Sequence, residues 1–416
     1  MVEAGMANAE SYDAAVIGAG PAGATAALIL ARAGWSVAVL EKVQFPRRKV
    51  CGEFLSATSL PLLRELGIAA SFLAQAGPEI RQIGLYAGNE TLVAEMPGTQ
   101  DGTETYGRAL GREHLDSLLL AEAAQAGARV FQPWAVAQVE KTERGFVVAG
   151  VARDTGEAVA LKARIIIAAH GSWGPGMLPT QGLRYPPRAS DLFAFKAHFK
   201  GCNIPPGLMP LVVFPGGYGG MVHSDRGRMS FSCCIRRDYL DQCRHRHAGM
   251  RAGEAVVAHI QASCRGVDEA LAGARRDGAW LSTGPIRPGI RTFRYDGIFA
   301  VGNAAGEAHP IVAEGIGMAI QSAWLLCERL VAQRHAVFSS REVAAIGRSY
   351  EAGWRKNFSL RIHAASLFAH LAMRPAAAEL AVAFLKRAPA IITLGAYLSG
   401  KAQPLRSVRK SGSAVS

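Results

Sequence analysis

Residues that could do chemistry in this chain gather in a few short stretches. In the first, Gly18-Ala19-Gly20-Pro21-Ala22-Gly23 follows an apolar run and opens a helix-like one. Glycines at that spacing fold a turn around a pyrophosphate: Gly18 permits the tight bend, Gly20 lets backbone approach the phosphates, and Gly23 lets helix and strand pack closely. The helix then offers free N–H groups and the positive end of its dipole to the anion. Glu41, followed by Lys42, ends the next apolar strand, where a carboxylate accepts hydrogen bonds from adenosine ribose hydroxyls. A glycine turn that served packing alone would leave Glu41 unexplained. Next, Arg47-Arg48-Lys49-Val50-Cys51-Gly52 places adjacent cations and a thiol on a loop near that anion. For any one of the cations, a solvated basic turn is the competing reading.

A further apolar run, 297–301, leads into Gly302-Asn303, a loop through His309-Pro310, and a helix starting near Glu314 or Gly315 and continuing through Ile316 and Gly317. A simple nicotinamide dehydrogenase has no use for a second strand-and-glycine motif so late in the chain. A long flavin dinucleotide does. The first motif grips the adenosine end, Asn303 reaches ribityl hydroxyls or the pyrophosphate, and the helix at Gly315 aims N–H groups at the ring edge that gathers negative charge on reduction. The expected cofactor is FAD, extended between the two motifs with its ring carried toward Cys51 and Tyr218. Beside the ring, Cys51, His309 and Tyr218 are the candidates for proton handling, His309 because it titrates near neutral pH. Their competing roles are apolar contact at Cys51, simple hydrogen bonding at His309 and packing of a turn aromatic at Tyr218. Glu314 reads as a capping acid. His245 and His247, placed in an Arg-rich helix start, lack the companions of a metal site, and the neighbours Cys233 and Cys234 point to opposite faces of a strand. No metal is expected.

These residues need a scaffold. Residues 13–17, a helical run over 24–33 stopped by Gly34, and a strand over 36–40 form the first unit. A short helix over 61–66 follows, then alternating antiparallel strands over 80–96. Arg112 opens an amphipathic helix with Leu115, Leu118, Leu119 and Ala123 on one face. A cation in a first turn is unfavourable unless an anion lies close, which makes Arg112 a candidate phosphate contact. Residues 134–164 read as hairpins, and 165–169 as a buried parallel strand ending at His170-Gly171-Ser172. Phe193, Phe195, Ala197 and Phe199 mark a half-buried strand, 215–220 a flexible turn, and 229–235 another strand. Tyr350, Trp354, Phe358 and Ile362 share one face of a late helix, followed by apolar helical runs over 376–385 and 388–398.

Composition narrows the class. With 50% hydrophobic and 19% charged residues, 416 residues suffice for a large core and two or three structural regions. The net charge of +13 is compatible with nucleic acid, anionic lipid or acidic ligands. The cations are widely spread and no RNA-binding or zinc-finger pattern occurs, so nucleic acid is not an expected partner. An odd number of cysteines without a C-x-x-C pair argues against a secreted disulfide framework. No signal peptide and no run of roughly 18 apolar residues is read, so a cytoplasmic protein is expected. The C-terminal helices are either a cap on the cofactor domain or a foot peripheral to the inner face of the membrane.

Taken together, the chain resembles the flavoprotein superfamily of para-hydroxybenzoate-type hydroxylases and geranylgeranyl reductases, over residues 12 to about 335. The Cys51-Gly52 segment and the turn from Pro215 to Tyr218 are similar to the reductase branch. Arg112 with Leu115 and Leu119 resembles the family's FAD-contacting helix, and 302–317 its later FAD motif. The resemblance implies an α/β fold: a glutathione-reductase-type, Rossmann-like FAD domain from 12–78, 105–188 and 285–335, an antiparallel β-sheet substrate domain from 79–104 and 189–284, C-terminal helices over 336–400 and a flexible tail at 401–416. It also implies FAD contacts at Gly18, Gly20, Pro21, Ala22, Gly23, Glu41, Lys42, Lys49, Cys51, Arg112, Gly302, Asn303, Pro310, Gly315, Ile316 and Gly317. The family's Asp is Asn303 here, and the Asp of its hydroxylases is His170, which leaves NAD(P)H or a separate reductase open as electron donor. The first expected activity is monooxygenation of a hydrophobic aromatic, polyketide or lipid-like substrate through a flavin hydroperoxide. The alternatives are alkene reduction and a flavin-binding assembly role without turnover. Halogenases are more distant in this reading, and their Trp-x-Trp-x-Ile-Pro string is missing.

Overall fold

In a computed structural model of the chain, residues 9–98, 105–172, 178, 186–293, 296–334, 339–388 and 390–397 are described. Strand Ser11–Ile17 is largely buried, as a central parallel strand must be. It pairs in parallel with Val37–Leu40 on one side and Ala158–Ala168 on the other. Arg129–Phe131 extends the parallel core beyond the first neighbour and Ile298–Ala300 beyond the second. The first half of Ala158–Ala168 instead pairs antiparallel with Gly145–Ala152, which pairs with Trp134–Thr142. Helices Pro21–Arg32, Arg112–Gln125 and Gly315–Ala332 cover one face and share a core with Val16, Val39, Ile165 and Ile167. On the other face Trp134, Phe146 and Leu161 pack over Ala15, Leu40 and Ile166. The first helix starts at Pro21, earlier than expected, because proline's missing N–H is no loss in a first turn and its fixed φ suits one.

A second sheet runs in the order Arg275–Ile286, Leu192–Lys200, Met229–Arg236, Gly217–His223, Leu208–Phe214, Gln82–Ala87, Glu90–Glu95. It is the expected antiparallel sheet with one parallel pair, where Leu208–Phe214 meets Gln82–Ala87. Those two strands are distant in sequence, and a parallel pair needs such a crossover rather than a hairpin. The turn expected over 215–220 shrinks to Pro215-Gly216, and Tyr218 lies within a strand. A Cβ at Gly217 would stand 2.4 Å from the Cys234 carbonyl oxygen, so this glycine serves close strand approach rather than a flexible turn. His245 and His247 sit at the C-terminal end of helix Arg237–Arg246, not its start, where basic groups complement the dipole.

Helix Ser340–Ala372 buries Tyr350, Trp354, Phe358 and Ile362 against the helical side of the first sheet. Phe358 and Ile362 alone contribute about 1.5–3 kcal/mol each by leaving water. Two shorter helices, Pro375–Arg387 and Ala390–Ala396, follow. The expected flexible tail at 401–416 lies outside the described residues.

Candidate cofactor and substrate cavity

Between the two sheets lies a cavity of about 500 Å³. The glycine turn, Glu41 and Arg112 line one end, and Ile83, Met209, Met221 and Val222 the other, with Gly302, Asn303, His309, Pro310, Gly315 and Ile316 along the way. Two of its glycines answer to the protein itself. Gly18 has φ +103° and a Cβ there would lie 2.5 Å from the Ala169 carbonyl oxygen, while a Cβ at Gly23 would lie 1.8 Å from that of Gly18. Gly20 and Gly315 answer to space. A Cβ at Gly315 would meet nothing within 4 Å, and one at Gly20 would meet only Arg112 Nη2, at 3.7 Å. Each stands at the start of a helix that has no side-chain cap. Two uncapped helix N-termini facing one cavity, each with room for a ligand, fit FAD: phosphates at the first and the electron-rich ring edge at the second.

The charges at this end are paired within the chain. Glu41 is buried, accepts N–H groups from Ala19 at 2.9 Å and Val43 at 3.0 Å, and lies 3.6 Å from Arg47. The expected ribose acceptor is therefore also a brace for the glycine turn, with lone pairs to spare. Arg112 lines the cavity, and its Nε and Nη2 donate to Asp116 at 2.6 and 2.7 Å, so an acid one turn along its own helix already offsets this first-turn cation. Arg47 lies 3.4 Å from Asp116, and Arg48 lies 3.3 Å from Glu113 and donates to the Asp277 carbonyl at 3.1 Å. The basic loop is thus tied down by acids of the chain. Lys49 lines the cavity; burial pushes its ammonium down to about 8, Arg47 and Arg112 adding repulsion while Glu41 and Asp116 oppose. Lys42 is an exposed part of the wall.

Toward the second sheet the site holds neutral groups. The Tyr218 hydroxyl and His309 Nδ1 are 3.1 Å apart and both residues are buried. Burial, with help from His370, pushes the His309 imidazole down to about 4, so it is uncharged at neutral pH. Burial also holds the Tyr218 hydroxyl well above its ordinary value, with Cys234 beside it, and pushes the Cys234 thiol up to about 12. His370, exposed on the long C-terminal helix, meets the His309 ring at 5.6 Å between centroids. Cys51 lines the same cavity, and its sulfur accepts the Glu53 N–H at 3.4 Å. Glu314 is the residue before the helix and its side chain caps nothing; it accepts the Ser56 hydroxyl at 3.0 Å, which corrects its expected role. Asn303 donates to Glu307 at 2.9 Å. Burial pushes the Glu307 carboxyl up to about 7, against the opposing influence of Ser172 and Arg291. His170, on the cavity wall, is pushed down to about 4 by burial. Among the described residues, no group of His, Cys, Asp or Glu is placed to hold a metal ion.

Two clusters escaped the sequence. Glu53, at φ +66° and buried, meets Lys196 and, at 2.9 Å, His198, and accepts the Arg112 N–H at 3.2 Å. Burial alone would raise its carboxyl, but Lys196 and His198 outweigh that and hold it far below the usual range. Arg228 donates to Asp225 at 2.6 Å and Glu113 at 3.0 Å, while Asp225 accepts the Gly111 N–H at 2.9 Å. Both clusters join the second sheet to the start of helix Arg112–Gln125. The available signal was the alternation that puts Lys196 and His198 together on the face opposite Phe195, Ala197 and Phe199.

A model of the FAD binding domain family matches residues 11–336. Tryptophan 2-halogenase from Chondromyces crocatus is 27% identical over 318 residues, which make up 74% of this chain and 59% of that protein. Digeranylgeranylglycerophospholipid reductase 1 from Methanopyrus kandleri is 28% identical over 83% of this chain and 87% of its own length. The solved structure of the myxobacterial chondrochloren halogenase, 24% identical, covers 85% of this chain and 82% of its own with a TM-score of 0.71, a likeness of fold. Halogenases, expected to be more distant than reductases, stand beside them at similar identity.

Proposed function

The chain belongs to the FAD binding domain family, and from that premise we propose that this FAD-dependent oxidoreductase hydroxylates a lipophilic phenol-type ring. The supporting observation is the Tyr218–His309 hydrogen bond beside an apolar cavity end. A substrate hydroxyl would donate a hydrogen bond to the Tyr218 oxygen while the Tyr218 hydroxyl donates to the neutral His309 Nδ1, a chain that polarises the substrate O–H without making a buried imidazolium. Charge drawn toward the substrate oxygen makes the ring carbons beside and opposite it electron-rich, the state in which a ring takes up electrophilic oxygen. FAD, when bound, supplies the oxygen activation and the two electrons, drawn from NAD(P)H or a separate reductase; one oxygen atom enters the ring and the other leaves as water. Ile83, Met209, Met221 and Val222 would hold the substrate's apolar part and exclude water.

Alkene reduction is the second reading, favoured by the near full-length alignment with the archaeal reductase. It needs a group that gives a proton to carbon, and Tyr218 and Cys234 are made weaker acids by burial. Labelled dioxygen separates the readings: the yellow protein is reduced anaerobically and then given ¹⁸O₂ with long-chain phenols or polyprenyl substrates, with and without halide. Label in a phenol product is the expected outcome. Anaerobic alkene saturation, or a halogenated product without label, would replace the proposal.

A further inference from the structure

The last helices of the described chain face two ways. Inside, Ala369 and Met373, at the end of the long C-terminal helix, pack with the cavity-lining Tyr218, Cys234 and Ile286. Ile392 and Ala396 pack with Phe54, Ile83, Met209 and Val222, which line the cavity's apolar end. Thr393 Oγ1 donates to the Glu95 carbonyl at 2.8 Å and Lys386 pairs with Glu90 at 2.8 Å, which fastens these helices along the sheet's edge strand. Outside, the same helices leave large apolar side chains in solvent: Leu360, Leu367 and Leu371 at helical spacing on the first, Leu380 (74% exposed) and Phe384 on the second, Leu394 on the third. Single exposed leucines are ordinary; a succession of them on the outer side of one cavity wall marks an interaction surface.

Charge selects what covers it. From residue 374 onward the cations are Arg374, Lys386, Arg387, Lys401, Arg406, Arg409 and Lys410, and the acid is Glu379. Apolar side chains in a segment whose sequence carries this excess of cations match a bilayer with anionic headgroups, whereas a second copy of this chain would oppose like charges. Among the described residues no single helix is long and apolar enough to cross a membrane, and Tyr350, Trp354 and Phe358 hold the long helix in the protein core. The contact therefore lies on the bilayer. We propose that the C-terminal helices dock the protein on an anionic membrane and that its substrate passes from the lipid into the cavity beneath Ala390–Ala396. The passage rests on the lipophilic substrate proposed above; the docking does not.

The test is co-sedimentation of the full-length, flavin-loaded protein with phosphatidylcholine vesicles containing phosphatidylglycerol, and with phosphatidylcholine alone. Binding should require the anionic lipid and weaken in high salt. The double variant Leu380→Asp/Phe384→Asp should partition about tenfold less while keeping its flavin and its turnover of a short-chain, water-soluble phenol. The proposal is overturned if the native protein stays in the supernatant, if the variant partitions equally well, or if light scattering shows a dimer that the variant dissolves. Vesicle binding without turnover of any phenol sinks the hydroxylation reading alone, and turnover without vesicle binding sinks the docking alone.

Discussion

Arg112 and Tyr218 line the same cavity and both are buried, yet burial has had opposite consequences for them. At Arg112 the charge is kept, because Asp116 binds it through two short hydrogen bonds and Arg47 shares the same acid. At Tyr218 the side chains beside its hydroxyl are neutral: His309 has lost its proton and Cys234 has kept its own, with the Glu307 carboxyl further along. Desolvation acts on both ends, and what differs is whether the chain supplies an opposite charge within reach. One end can hold an anionic ligand without losing shape when the ligand leaves. The other is apolar enough for a hydrocarbon and still offers one hydroxyl–imidazole pair for hydrogen bonding.

Substitutions should separate the two ends. The largest effect is expected at the glycine turn, where Gly23→Val places a side chain against the Gly18 carbonyl; the purified protein should be colourless or insoluble, as its flavin absorbance would show. Glu53→Gln leaves Lys196 and His198 buried without their acid and should destabilise by about 3–5 kcal/mol in urea melts, with partial recovery when Lys196→Met is added. Glu53 is also an acid held below its ordinary range, so its stabilisation is full above the unfolded value of 4.5 and is lost as pH falls below it. The variant should show a shallower acid limb. At the neutral end, Tyr218→Phe and His309→Asn should each lower turnover by about a hundredfold with flavin content and melting point unchanged. Loss of flavin in either would erase the distinction between the ends. The smallest effect concerns Glu307. Its raised carboxyl holds a proton more tightly folded than unfolded, so its contribution is full below 4.5 and is lost as pH rises through about 7. Glu307→Gln should flatten stability across that window, by up to about 3 kcal/mol at its upper edge.

The cofactor end was readable in the sequence because local rules act there: a glycine turn, a strand on either side and an acid at a fixed remove all fall within Gly18 to Glu41. Gly315 was readable for the same reason. The neutral end was not. Tyr218 reads as a turn aromatic among Pro215, Gly216 and Gly217, and only the pairing of Gly217–His223 with Met229–Arg236 shows that those glycines serve close strand contact. Glu53 was hidden differently. Its neighbours Arg47, Arg48 and Lys49 look like its natural partners, but they are engaged with Glu41, Asp116 and Glu113, and Glu53 crosses to the other sheet. Periodicity names the face on which Lys196 and His198 lie, and tertiary placement alone names what they face.

Strand Ala158–Ala168 also sets an order of events during synthesis. Its last residues lie between Ser11–Ile17 and Ile298–Ala300, so the parallel sheet stays open at Ile166, Ile167 and Ala168 until residue 298 has been made. A nascent chain that ends earlier has the whole first glycine turn, an unpaired sheet edge and no Gly315 helix. Closing a pair so far apart in sequence is slow, and the bare edge is a target for misassembly meanwhile. The flavin pocket is therefore incomplete until the Gly315 helix has been made, and a chain stopped before residue 298 should not become yellow.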